Sequence, residues 1–166
     1  MKRLASRTAQ YPLRAEFAVS YNEWAVDSVT GLKTTFGSTA AASTDPLEFA
    51  LTAGTGITFD VIPMPVGAVI TSGELIVETA FVGIGTGATL SVGIAGNLSA
   101  LVSALDLDAA VAGSSVQFLL TAPMISNAGQ NLRLTTAGLV ATATAGKFRV
   151  RVNYTIDNRT SEIQIT

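Results

Sequence analysis

Hydrophobic and polar residues alternate along most of this chain, in short runs separated by glycine, proline and serine. The clearest run spans 147–156, where one face carries Phe148, Val150, Val152, Tyr154 and Ile156. A period of two with β-branched and aromatic residues predicts a strand that packs one face on the core. The opposite face is polar and basic, so we expect it to meet solvent or an acidic neighbour.

Similar alternation recurs through the rest of the chain. It predicts strands over 15–21, 57–62, 75–79, 89–94 and 115–121, and another from Leu132 onward. Residues 47–51 also alternate, which favours a strand paired with 57–61 through a turn at 52–56. Asp45-Pro46 could equally begin a short helix, since an acidic N-cap followed by proline is typical of a helix start.

Proline and glycine predict where the strands end. Pro63 and Pro65 each lack a backbone donor, so a central strand cannot continue through them. Turns are predicted at Ser72-Gly73, Asn127-Ala128-Gly129 and Ala145-Gly146.

Three further glycines, at 83, 85 and 87, lie between two apolar runs. They predict a hairpin loop, where positive φ is needed. A phosphate-binding loop is disfavoured because the G-x-G-x-x-G spacing and the following helix are missing.

One segment has helical spacing. Leu98, Leu101, Val102 and Leu105 recur at three and four residues, with Asn97 as a candidate N-cap. We therefore expect one short helix there. Asp106 and Asp108 follow it and are the nearest approach to a paired carboxylate site. Such a pair in a loop is more often solvated or capping than bound to calcium.

Eight to ten short strands with no βαβ rhythm predict an all-β protein, an antiparallel β-sandwich, most simply a jelly roll. The chain of 166 residues suits one domain. We divide it into an N-terminal basic arm (1–14), a sandwich domain (15–156) and a C-terminal tail (157–166).

Composition narrows the function. The chain has no cysteine and no histidine, which removes thiolate metal sites and the commonest general base. We expect no catalytic residues, metal or cofactor. The net charge of -2 argues against nucleic acid as a partner, and no apolar run is long enough to predict a membrane span. Only 13% of residues are charged, which indicates that the protein buries surface in an assembly, or that Thr, Ser, Gly and Ala cover its outside, or both.

The first fourteen residues depart from this charge balance, because they carry four cations and no acid. This arm is interpreted either as a disordered terminus or as a basic tether on an acidic partner. Together with the polar face of the last strand it supplies the candidate partner-binding residues, which are Lys2, Arg3, Arg7, Arg14, Arg149 and Arg151.

Three stretches carry a family resemblance. PMPVGAVITSGELIVETAF (63–81), GTGATLSVGIAGN (85–97) and AGKFRVRVNYTI (145–156) resemble, in their order of turns and strands, phage head decoration (cement) proteins. The resemblance covers about residues 57–156 and does not extend to 1–45. It implies a sandwich or jelly-roll core on the outer capsid surface of a virion. It also implies a dimer or trimer that binds the major capsid protein and braces capsomer junctions.

Three other functions are weighed against this one. A carbohydrate- or receptor-binding sandwich of a virion fibre or spike would normally expose aromatics in its loops, whereas Tyr11, Tyr21 and Trp24 lie near the N-terminus. An enzyme without His or Cys would have to rely on Asp or Glu, Ser or Thr, Lys or Tyr, and the only tight carboxylate pair in the sequence is Asp106 and Asp108. A small major shell subunit of the same fold class would assemble into closed particles by itself.

Overall fold

A computed structural model describes residues 12–28, 31, 33–37, 57–120, 124–126, 129–141 and 143–156. This part of the chain contains β-strands and no helix. The strands are β1 (Leu13–Ser20), β2 (Trp24–Val26), β3 (Lys33–Thr35), β4 (Ile57–Pro63), β5 (Ala68–Val82), β6 (Thr89–Ile94), β7 (Asn97–Asp106), β8 (Ser115–Gln117), β9 (Met124–Ser126), β10 (Asn131–Ala137) and β11 (Ala145–Ile156).

Two antiparallel sheets form the body of the protein. The first has the order β1-β11-β5-β8, with β9 also paired to β5, and the second has the order β4-β10-β6-β7. Strands β2 and β3 form a separate ribbon, which an isolated bridge between Asp27 and Phe59 joins to β4. The prediction of an all-β, sandwich-like protein is therefore confirmed. Its finer assignment to a jelly roll stays a prediction.

The core lies between the two sheets and follows from the alternation. In β11 the side chains of Phe148, Val150 and Val152 are fully buried, and in β10 so are Leu132 and Leu134. These strands belong to different sheets but to one continuous hydrophobic cluster. The cluster removes a large apolar area from water, and this burial is the main driving force for closing the sandwich.

Four phenylalanines meet at one end of this core. The ring of Phe36 lies 4.7 Å from that of Phe148, 5.0 Å from that of Phe59 and 6.5 Å from that of Phe81, measured between centroids. The rings are tilted or edge-on to one another, as their quadrupoles prefer. Phe36 follows β3, so this contact packs the small ribbon onto both sheets.

The short helix predicted after Ile94 is wrong, because that segment forms β7. The two-residue turn 95–96 joins it to β6 as a hairpin. The pairing register then shifts: Val92 pairs with Val102, whereas Leu90 pairs with Leu105. Such bulges place an extra residue in β7, so that Val102 and Leu105, three residues apart, can both face the core. The spacing of apolar residues at three and four positions, which is typical of a helix, results here from a bulged strand.

The turn predicted at Ser72-Gly73 is also wrong, since β5 runs through this point without a break. The register against β11 shifts by one residue at Thr71, whose hydroxyl donates to the carbonyl of Asn153 at 3.1 Å. Gly73 is buried under the ring of Phe118. Gly73 therefore marks a close approach inside the strand, two residues after the bulge at Thr71.

The turn predicted at Ala145-Gly146 belongs instead to β11, because β10 ends at Ala137 and β11 begins at Ala145. Gly146 has a φ of 147° and lies against the ring of Phe81, which leaves no room for a Cβ. A register shift between Ala145 and Lys147 shows that Gly146 lies at a bulge.

Other predicted boundaries are confirmed. Strand β4 ends at Pro63, and the glycine loop joins β5 to β6 with φ between 79° and 86° at its three glycines. Strand β8 is shorter than predicted. Beyond it, the N–H of Phe118 donates to Gly73 in the first sheet, and the N–H of Leu119 donates to Leu101 in the second. This short segment therefore bridges the two sheets.

Several predicted features lie outside the described residues. These are the arm up to residue 11, the strand 47–51 with its turn 52–56, residues 127–128 of a predicted turn, and the tail 157–166.

Candidate interaction surface

The outward side of the first sheet carries a dense group of charges, here called the charged face. Its members project from β1, β5 and β11 and are linked by ion pairs: Arg14, Glu16, Glu74, Glu78, Lys147, Arg149 and Arg151. The four cations exceed the three carboxylates by one.

Strand register builds this face. Across β1, β11 and β5, Glu16 stands opposite Arg151, which stands opposite Glu74. One step along the same face, Arg14 stands opposite Asn153, and Asn153 opposite Ser72. Opposite charges in directly facing positions stabilise a sheet, so the pairing of the three strands and the ion pairs support each other.

Glu16 is the centre of the charged face, because three guanidinium groups meet its carboxylate. Oε2 accepts from Nη2 of Arg14 at 2.9 Å and from Nε of Arg151 at 3.2 Å, while Oε1 accepts from Arg149. Partial desolvation raises the pKa of Glu16, but the hydrogen bonds and charges of these arginines outweigh it. The net pKa lies below its ordinary value of 4.5.

A second group of ion pairs involves Glu78. Its carboxylate accepts from Nζ of Lys147 at 2.9 Å and also from Arg149. The bond from Lys147 lowers the pKa of Glu78, desolvation opposes it, and Arg149 lowers it further. In return, the hydrogen bonds that Arg149 donates to Glu16 and Glu78 raise the pKa of its own guanidinium. Arg149 therefore lies between two carboxylates of its own chain.

The candidate partner-binding residues thus fall into two groups. Arg14, Arg149 and Arg151 come together on one face, whereas Lys2, Arg3 and Arg7 lie outside the described residues. The sequence showed a one-sided basic strand, but the three glutamates on neighbouring strands offset most of that charge. Sequence reasoning missed these acids as site residues. Their polar-face positions in β1 and β5 were a signal, but their adjacency depends on the strand order.

A shallow polar cleft of about 160 Å³ opens at the end of the charged face where β1 begins. It is lined by Arg14, Ser72, Gly73, Glu74, Gln117, Arg151 and Asn153. Two carboxamides are fixed there: Nε2 of Gln117 donates to Glu74 at 3.2 Å, and Nδ2 of Asn153 donates to the Ser72 hydroxyl at 2.9 Å. The cleft is therefore preorganised by bonds between adjacent strands.

Asp106 acts as a local cap. Its Oδ1 accepts from the backbone N–H of Asp108 at 2.9 Å and of Ala109 at 3.2 Å, which is an Asx-type turn. Within the described ranges no three His, Cys, Asp or Glu side chains are grouped as a metal site would require. The same residues contain no helix that is long and apolar enough to cross a membrane.

One end of the sandwich exposes apolar side chains. Val82 and Val140 are 53% and 72% exposed, and hydrogen bonds from Val140 to Ile84 and from Thr144 to Val82 hold their two loops together. The loops 83–88 and 138–144 contain no charged residue. This end differs in chemistry from the charged face.

The fold defines a class, that of all-β proteins with two antiparallel sheets packed around one core. Among solved structures it is similar to a chain of the capsid asymmetric unit of cyanophage Pam1, with a TM-score of 0.58, 20% identity and 92% of each chain covered. It is also similar to a chain of the acid-stable capsid of Helicobacter pylori bacteriophage KHP30, with a TM-score of 0.51, 12% identity and 86% of each chain covered. No family model and no curated protein matches the sequence.

Proposed function

We propose that this protein is a structural component of a phage head, and that it decorates the outer surface of the capsid. The observation that carries the proposal is the fold likeness to a chain of a phage capsid, which extends over 92% of both chains. Coverage is nearly complete in both directions, so the likeness is not confined to a part of either chain. The proposal involves no catalytic step.

The proposed partner is the major capsid protein, and the protein would bind it as a dimer or trimer at capsomer junctions. Two features of the surface support a binding role. Valines are exposed at one end of the sandwich, and a charged face with one excess cation lies on the first sheet. Exposed apolar patches and residual charge are both common at protein–protein interfaces.

The basic arm is proposed to act as a tether. Lys2, Arg3 and Arg7 precede β1 without any acid between them, so the segment would be attracted to an acidic shell surface. Deletion of residues 1–11 leaves β1 intact, and we expect it to weaken attachment without unfolding the domain. Unchanged attachment would mean that the arm is not a tether.

The experiment uses light scattering and co-sedimentation. The purified protein is measured alone, and then with heads assembled without it from the major capsid protein of the same genome. We expect a discrete dimer or trimer that sediments with the heads and saturates at a fixed ratio per capsomer. Failure of the protein to sediment with the heads would overturn the decoration role.

A second candidate is a small shell subunit, since the similar chains belong to capsids. The same light-scattering measurement separates the two roles, because a shell subunit would form closed particles by itself. A discrete oligomer that ignores heads but binds on a glycan array would instead support a carbohydrate-binding sandwich of a fibre or spike.

A further inference from the structure

We propose that the cleft between Arg14 and Arg151 binds one carboxylate of an acidic side chain on the partner protein. The identity of that partner as the major capsid protein rests on the proposed function. The site itself follows from the geometry and charge of this chain. The proposed contact lies at the end of the charged face nearest the start of β1, and not along the whole basic strand.

The two guanidinium groups are held side by side by a shared acceptor. Arg14 and Arg151 both donate to Oε2 of Glu16, from β1 and β11 respectively. The side chain of Arg14 is 54% exposed and that of Arg151 is 33% exposed. Within the described chain Arg14 donates this one side-chain hydrogen bond, so four of its five N–H groups stay available. Arginine pairs of this kind suit the planar carboxylate.

The charge of the cleft fits a monovalent anion. The charged face has one cation more than it has carboxylates: three guanidinium groups meet Glu16, while Arg151 also pairs with Glu74 and Arg149 with Glu78. One further carboxylate would balance the face. A phosphate dianion would fit less well, because Glu74 also lines the cleft and would repel it.

The neutral groups of the cleft favour a protein segment over a free ion. Gln117 and Asn153 each use an amide N–H to bond a neighbouring strand, to Glu74 and Ser72 respectively. Their carboxamide oxygens can then accept hydrogen bonds from backbone N–H groups flanking the bound acid. A volume of about 160 Å³ accommodates one acidic side chain.

Arg149 is not part of this site, although it lies on the same strand. Its guanidinium is shared between Glu16 and Glu78, and it does not line the cleft. Reversing the charge of Arg149 would disrupt both of these pairs, so a loss of binding there would not distinguish contact from damage to the sheet. A variant at Arg14 is the sharper probe.

The first test compares Arg14→Gln with Arg133→Gln for binding to heads. Arg133 makes an equivalent single pair, with Asp60 at 2.6 Å, but on the second sheet. We expect Arg14→Gln to weaken binding about tenfold or more and to reduce its dependence on salt, since one charge-assisted contact is lost. Arg133→Gln should bind as the wild type does. If the wild type binds and Arg14→Gln binds equally well, this inference is wrong while the proposed function stands.

The second test needs no heads. The Nε–Hε signals of the arginines are followed by NMR while acetate, or an acetylated and amidated Asp dipeptide, is added to the full chain, with chloride as the reference. We expect saturable shifts for Arg14 and Arg151 and none for Arg133. Equal shifts at all three would overturn the site. Saturable shifts in a protein that ignores heads would support the site and refute the proposed partner.

Discussion

The ring of Phe118 lies where a side chain of residue 73 would begin: a Cβ built on Gly73 would stand 2.3 Å from Cδ2 of Phe118. The carbonyl oxygen of Arg151 would be 2.7 Å away on the neighbouring strand. The bridge that Phe118 and Leu119 make between the two sheets thus requires a residue without a side chain at position 73.

This contact makes Gly73→Ala a destabilising change. We expect a loss of about 1–3 kcal/mol in the free energy of unfolding, as is usual when a filled core receives an extra methyl group. Urea unfolding measures it. The double variant with Phe118→Leu should lose less free energy of unfolding than the two single variants together, because the smaller Leu side chain leaves room for the added methyl group. Strict additivity would contradict the contact.

Ala104 in β7 is strained, since its φ of 46° lies in the left-handed region that L-residues avoid. Ala104→Gly should stabilise the protein by about 0.5–1 kcal/mol, because the relief of about 1–2 kcal/mol exceeds the entropic cost of glycine. Ala100→Gly, on the same strand, is the matched control and should destabilise by a similar amount. The opposite order of the two variants in thermal unfolding would argue against the bulge.

The ion pairs of Glu16 and Glu78 predict an acid-dependent loss of stability. Both carboxyl groups have a pKa below 4.5 in the folded protein, so their contribution is complete above that pH. It is lost as the pH falls through the lower folded-state pKa, because the unfolded chain then binds more protons. Thermal unfolding from pH 7 to pH 3 measures this loss.

Glu16→Gln is the matched variant for that measurement. It should unfold at a lower temperature than the wild type at pH 7, and the gap should narrow as the pH falls below 4.5. A gap that stays constant with pH would show that the carboxylate charge of Glu16 does not stabilise the sheet.

The aromatic cluster predicts the largest effect of a single core change. Phe148→Ala removes a fully buried ring that contacts Phe36 and Phe81, and we expect it to cost about 3–5 kcal/mol. Val140→Ala, at a residue that is 72% exposed, should change stability by less than about 0.5 kcal/mol. Chemical denaturation compares them. Similar losses for both would contradict the placement of the core.

The local pattern of hydrophobic and polar residues was sufficient to predict a strand wherever one face of that strand packs on the core along its whole length. The alternation of Phe148, Val150 and Val152 predicted β11, because a residue's side in a strand depends only on its position in the run. Pro63 and the glycine loop at 83–87 likewise predicted the ends of β4 and β5, because missing donors and positive φ are properties of single residues.

Only the tertiary structure determined the features that depend on residues distant in sequence, namely bulges, close approaches and ion pairs between strands. The residues around Leu101 have helical spacing, but they form a bulged strand that pairs with β6. Gly73 was predicted to lie in a turn, but it lies inside β5 against the ring of Phe118. Glu16 and Arg151 are 135 residues apart and meet only because β1 pairs with β11. Strand order and register set those contacts, and they arise from the packing of the whole core, which no local run of residues encodes.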